Sequence, residues 1–129
     1  MTSRAFRYGA MRQADLRVAE KIRLALGAAT TVLNVGAGSG NYEPAGRTVV
    51  TLEPSAAQRV RRPASAAPCV IGTAEALPFD DKSFDAVMAS LTIDQWPDLE
   101  RGLAELKRVA RRRIVILTFD PGRIASFWF

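Results

Sequence analysis

Histidine is missing altogether from this 129-residue chain, and cysteine occurs once, at Cys69. The first absence excludes Ser–His–Asp triads and histidine proton shuttles. With a single thiol it also removes the usual zinc ligand sets, so no metal is expected. The second excludes an internal disulfide. Lysine stands only at Lys21, Lys82 and Lys107, so the net charge of +5 is carried mainly by arginine. Aromatic residues are few and none interleaves with the clusters Arg59/Arg61/Arg62 and Arg108/Arg111/Arg112/Arg113. Interleaving is what nucleic-acid binding by stacking would require. The clusters read instead as solvated surface and as charges complementing helix C-termini. No apolar run approaches the ~20 residues that span a bilayer. The start of the chain, from Met1 to Arg7, lacks the apolar core of a signal peptide. A cytoplasmic chain with no membrane segment is expected.

What is present is an ordinary globular composition, 48% hydrophobic and 24% charged, in a chain of single-domain length. Such a chain can bury about two thirds of the surface it exposes when unfolded. Helical and strand-like stretches alternate. Asp15 to Leu26 places Val18, Ile22, Ala25 and Leu26 on one helical face, and Gly27 can end it. Thr31–Val35, Thr48–Leu52, Cys69–Ile71, Phe84–Ala89 and Ile114–Phe119 read as strands. Between the last two, Asp98 is a suitable N-cap for a helix with Leu99, Leu103, Leu106 and Ala110 on one face. Strands that are apolar throughout, separated by helices, indicate a parallel sheet covered on both sides. The expectation is an α/β, Rossmann-like, doubly wound and mainly parallel sheet of about five strands. The first two strands lie only about eleven residues apart, so the helix between them is a turn or two at most.

The sharpest local signal is Val32-Leu33-Asn34-Val35-Gly36-Ala37-Gly38-Ser39-Gly40-Asn41. Three glycines at alternate positions follow a buried strand directly. Glycine permits positive φ, and its missing Cβ lets a ligand approach the backbone. In a doubly wound sheet this first turn is where nucleotide-like ligands sit. The spacing is GxGxG rather than GxGxxG, and no P-loop lysine follows. The second signal is Glu53, which ends the second strand. A carboxylate there can accept two hydrogen bonds from a ribose diol, and it would repel a 2′-phosphate.

With the segment Ala74-Glu75-Ala76-Leu77-Pro78-Phe79-Asp80-Asp81-Lys82-Ser83-Phe84-Asp85 the chain resembles the class I S-adenosylmethionine-dependent methyltransferases of small-molecule type, related to those of quinone biosynthesis. VLNVGAGSGNYE resembles the glycine motif of that family and VVTLEPS its acidic second-strand motif. AEALPFDDKSFDAVMAS resembles the adenine loop and fourth strand, and LERGLAELKRVARRRIVILTF the helix and strand that follow. The likeness covers about residues 30–120. It implies one domain: an N-terminal lid and helix over 1–28, a cofactor-binding core over 30–120 and a tail over 121–129. It implies that Gly36, Ala37, Gly38 and Gly40 wrap the methionine portion of S-adenosylmethionine. By the same likeness Glu53 binds the ribose, Pro54 packs on the adenine, and Ala74 and Glu75 lie beside the adenine edge. Ser90 and Leu91 face the methyl donor, and Tyr8 and Arg12 belong to a lid. The implied activity is methyl transfer to a small-molecule acceptor.

The sequence also departs from the family. Thr73 stands where many relatives have an aspartate for the adenine amine, and Asp94 where some have a histidine that is a candidate base. An aspartate near its ordinary pKa is a feeble base unless burial raises it. Asp94 is thus a weak catalytic candidate, and its alternative is a loop acid capping nearby amides. Trp96 is either a packing residue or a substrate platform. The family's sheet has two further strands in a hairpin beside the fifth. This chain is expected to lack them, leaving Ile114–Phe119 as an open edge, the kind that soluble proteins protect. The chain is then expected to be either a truncated piece of a longer enzyme or one that completes its sheet with a second copy, as a homo-oligomer. Two rival readings stand: a truncated or degenerate methyltransferase-like domain that binds cofactor or a protein partner without catalysis, and a Rossmann domain for NAD or a nucleotide sugar.

Overall fold

A computed structural model describes residues 16–36, 44–54, 56, 60, 62, 66–90, 96–117 and 124–128. Helix α1 (Leu16–Leu26) leads into strand β1 (Thr31–Val35), followed by β2 (Thr48–Leu52), β3 (Cys69–Val70) and β4 (Phe84–Ser90). Helix α2 (Leu99–Val109) then passes without a loop into β5 (Ala110–Leu117), and β6 (Ile124–Trp128) comes last. The strands lie in the order β3-β2-β1-β4-β5-β6. β1 to β5 pair in parallel, and β6 runs antiparallel to β5. The chain winds outward from β1 in one direction and from β4 in the other. This is the doubly wound α/β architecture expected from the alternation of apolar strands and helices. Among the described residues no helix is long and apolar enough to cross a membrane.

Both sheet faces are dry. On one, Leu33, Val35, Leu52, Val87, Ala89, Ile114 and Ile116 meet Leu106 and Val109 of α2. On the other, Val32, Val49, Ala86, Met88, Val115 and Leu117 meet Ile22 and Leu26 of α1. Alternate residues of each strand thus serve opposite helices, which is why the strands read as continuous apolar runs.

Two expectations need correction. The fifth strand is not an open edge: β6 covers it, with Ile114 opposite Phe127 and Leu117 opposite Ile124. The ground for a homo-oligomer through Ile114–Phe119 is therefore gone. The aromatic residues near the terminus supply a strand, as β-propensity favours. The arginine run, second, is divided: Arg108 lies in the last turn of α2, as helix-end charge, while Arg111, Arg112 and Arg113 belong to β5. Arg111 Nη1 donates to Asp85 at 2.6 Å, and Arg113 Nη1 to the Ala25 carbonyl of α1 at 2.7 Å. On α2 the buried side carries Gly102, Leu106 and Val109, while Leu99 and Leu103 are exposed. Trp96 packs against the core on that side, and a Cβ on Gly102 would overlap its ring. Of the two readings of Trp96, the geometry supports packing. The Asp98 cap is as expected, its Oδ1 accepting from Arg101 N–H at 3.1 Å. The short connection after β1 lies for the most part outside the described residues.

The edge of the sheet at the start of the strands is held by Asp85. Its Oδ2 accepts from the Thr30 N–H (3.0 Å), the Thr30 hydroxyl (2.8 Å) and the Thr31 N–H (3.3 Å). Its own N–H donates to the Thr31 hydroxyl at 2.9 Å. The end of α1 beside it is satisfied by arginine: Arg47 Nη2 donates to the Arg23 carbonyl at 3.3 Å and Arg113 Nη1 to that of Ala25, while Arg47 Nη1 reaches the Ala29 carbonyl just beyond the helix at 2.6 Å. Cationic donors at a helix C-terminus complement both its unpaired carbonyls and its dipole.

The Thr30 hydrogen bonds, helped by Thr31 and Arg111, hold the Asp85 carboxyl at about 2, against an ordinary 3.8. The group stabilises the fold fully above its unfolded value, and that contribution fades as pH falls from 3.8 towards about 2. Asp85→Asn is therefore expected to lower the unfolding free energy at neutral pH by about 1–3 kcal/mol. It should also flatten the acid limb of stability against pH, measured by urea unfolding at a series of pH values. Gly102→Ala should cost about 1–3 kcal/mol in the same assay, because the methyl group displaces the Trp96 ring.

Candidate functional site

Parallel pairing brings the C-terminal ends of β1 to β4 to one edge. There β1 ends in Gly36, at φ 71°, a left-handed backbone that favours glycine. The Gly36 N–H donates to the Leu52 carbonyl at 2.7 Å, which ties the bend to the last residue of β2. The next residue, Glu53, is an acid only 5% exposed. Its N–H donates to the Val70 carbonyl at 3.1 Å, so β3 fixes the backbone that carries it. A glycine bend and a buried carboxylate, far apart in sequence, thus sit at the ends of adjacent strands. Pro54 follows Glu53 on the surface.

A polar atom that the sequence reading gave no role is also present. Asn34, two residues before the bend, is 1% exposed, and its Oδ1 has no hydrogen-bond partner among the described residues. A buried acceptor left unsatisfied costs free energy and marks a place where a donor belongs. The signal was available in the sequence: one amide inside an otherwise apolar strand.

The segment after β3 forms the neighbouring wall. Thr73 is exposed, and Ala74 is buried among Leu52, Leu77 and the α2 core. Glu75 turns to α2: its Oε2 accepts the Asp98 N–H at 3.1 Å, and its carbonyl accepts from Arg101 Nε at 3.2 Å. Further along, Glu105 Oε1 accepts the Leu77 N–H at 2.8 Å. Arg108 donates from Nη2 to the Leu77 carbonyl (2.9 Å) and from Nη1 to the Phe79 carbonyl (2.9 Å) and Asp81 (2.8 Å). The Lys82 N–H returns to the Arg108 carbonyl at 2.8 Å. Glu105 and Arg108 pair with each other at 2.7 Å. That pairing lowers the Glu105 carboxyl, aided by the Leu77 N–H and opposed by burial. It also raises the Arg108 guanidinium, with Asp81 as the second cause. The sequence reading missed both residues, since charged positions on a helix pass for a solvated face.

Ser90 is the last residue of β4 and pairs in register with Leu117. The structure therefore brings Gly36, Glu53, Pro54 and Ser90 to one edge, with Ala74 and Glu75 on the adjoining segment. Ala37, Gly38, Gly40, Tyr8, Arg12, Leu91 and Asp94 lie outside the described residues. The described residues hold no group of three or more His, Cys, Asp or Glu able to bind a metal ion.

Comparison with known proteins follows the same segments. A methyltransferase domain family matches residues 33–117, from within β1 to the end of β5. A malonyl-[acyl-carrier protein] O-methyltransferase of Halorhodospira halophila is 36% identical over 103 residues, covering 70% of this chain and 35% of that protein. A solved structure named for a methyltransferase from an antibiotic biosynthesis pathway of Anabaena variabilis superposes with a TM-score of 0.79 at 32% identity, over 85% of this chain and 48% of that one. A SAM-dependent methyltransferase structure from Thermotoga maritima gives 0.73 at 26% identity, over 87% and 56%. The chain spans about a third of the length of the Halorhodospira relative and about half of these two structures. The family match runs through the glycine bend, the β2 acid, the segment after β3 and the helix that holds it: the chain belongs to the methyltransferase domain family, with the class I α/β fold.

Proposed function

We propose that this chain is the cofactor-binding part of a methyltransferase that methylates a small-molecule acceptor, with S-adenosylmethionine as cofactor. The observation that carries the reading is the buried Glu53 carboxylate beside the positive-φ Gly36 bend. An acid in that position suits a ribose diol, and a bend without a side chain leaves room for a ligand against the backbone.

When bound, S-adenosylmethionine supplies a methyl group activated by its positively charged sulfur. Glu53 holds the ribose hydroxyls, and its charge disfavours a 2′-phosphorylated nucleotide. Gly36, Ala37, Gly38 and Gly40 line the methionine portion with backbone. Pro54 offers a ring face to the adenine, and the backbone of Ala74 and Glu75 borders the adenine edge. Thr73 offers a hydroxyl there. Ser90 and Leu91 would face the methyl donor, and Tyr8 and Arg12 would belong to a lid. The protein contributes chiefly proximity and orientation, worth several kcal/mol of barrier lowering. Asp94 is the candidate base where the acceptor needs one, and such help is required only for a nucleophile that must lose a proton.

Two measurements test this. S-adenosylhomocysteine should raise the thermal midpoint of the chain and NAD should not, since a ligand of the native state stabilises by mass action. Stabilisation by NAD alone overturns the reading. By calorimetry, Glu53→Ala should weaken S-adenosylhomocysteine binding by about 1–3 kcal/mol, the range for hydrogen bonds to a charged group. A difference near zero means that the ribose is held elsewhere.

A further inference from the structure

One face of α2 carries Asp98, Arg101, Glu105 and Arg108, spaced three, four and three residues apart. That spacing aligns them on a single stripe. This stripe does not face water alone. Its groups bind the Glu75 side chain and carbonyl, the Leu77 N–H and carbonyl, the Phe79 carbonyl, the Asp81 carboxylate and the Lys82 N–H. Most of these are backbone groups of a segment with no regular secondary structure. A loop of that kind has few internal hydrogen bonds to define its shape, so its conformation is set by whatever satisfies its amides and carbonyls. Here that is a helix.

We propose that Glu105 and Arg108 are positioning residues for the cofactor site: through the backbone of residues 77–82, which runs on from the Ala74–Glu75 border, they fix the wall against which the adenine is read, and so set base selectivity. The inference rests on the reading of Ala74 and Glu75 as the adenine border. The two residues act differently. Glu105 accepts the Leu77 N–H, a task that any acceptor of the same length can share, and it also orients Arg108 through both carboxylate oxygens. Arg108 bridges two carbonyls and the carboxylates of Asp81 and Glu105 at once with a planar fork, which a lysine ammonium cannot reproduce.

The experiment uses the full chain with Arg108→Lys and Glu105→Gln, at a temperature well below the thermal midpoint of each variant. The first readout is affinity for S-adenosylhomocysteine and for S-inosylhomocysteine, in which the exocyclic amine is replaced by oxygen. The second is amide hydrogen exchange. Arg108→Lys should weaken S-adenosylhomocysteine about tenfold, the effect of one or two lost hydrogen bonds, with little change for the inosyl compound. The preference for adenine then falls by the same factor, and exchange quickens over 77–82 but not in β4 and β5. Glu105→Gln keeps an acceptor for Leu77 and should lose less. A purely structural role would weaken both ligands alike and leave their ratio unchanged, which overturns the inference. So does faster exchange over 77–82 with affinity intact. If Arg108→Lys does not fold, the adenine preference of Glu105→Gln decides: a reduced ratio supports the inference and an unchanged one overturns it. Wild-type protein that fails to bind S-adenosylhomocysteine overturns the functional reading and this inference together. A Glu53→Ala loss without an Arg108→Lys loss overturns this inference alone.

Discussion

Parallel pairing in a single direction is the constraint on which the rest depends. Five strands from β1 to β5 point the same way, so every chain reversal to the next strand begins at one edge and ends at the other. The two edges therefore have different chemistry. At the starting edge, polar side chains lock the frame: Asp85 gathers the first residues of β1 and the side chain of Arg111, while Arg47 and Arg113 satisfy the end of α1. At the finishing edge, one backbone hydrogen bond joins the Gly36 bend to β2, and a buried acid stands beside it. Side-chain hydrogen bonds and ion pairs gather at one edge, and the glycine bend with its neighbouring acid stands at the other.

This division explains why so basic a chain needs no special account of its charge. Several arginines bond to groups of the fold itself. Arg47 and Arg113 close a helix, Arg111 braces a strand start, and Arg108 holds a loop. Guanidinium is suited to each task because its planar array of donors can meet several acceptors at fixed angles. The scarcity of lysine and the abundance of arginine thus have a structural use beyond net charge.

Much of the fold was legible because apolar β-branched runs and amphipathic periodicity are local signals. β1, β2 and β4 and the N-cap of α2 were read from neighbouring residues alone. What escaped depended on distant partners. The start of β5 looked like a helix end because its arginines are drawn into the strand by Asp85 and by the Ala25 carbonyl, 88 residues away in the case of Arg113. The buried side of α2 was not legible because Gly102 contributes no hydrophobicity of its own and is filled by Trp96. β6 was missed because an aromatic terminus shows its role only once β5 is beside it. At the site, Gly36 and Glu53 stood out through chemistry and position, whereas Glu105 and Arg108 did not, since nothing local distinguishes a solvated ion pair from one bonded to a loop.

The way α2 grips the chain has a consequence for how this protein can vary. The helix addresses the 75–82 stretch mostly through peptide groups, which every residue type carries. The outline of that stretch is thus encoded in a different part of the polypeptide from the one that displays it. Its side chains can drift while the path survives, but a change of two helical positions would redraw the whole turn at once.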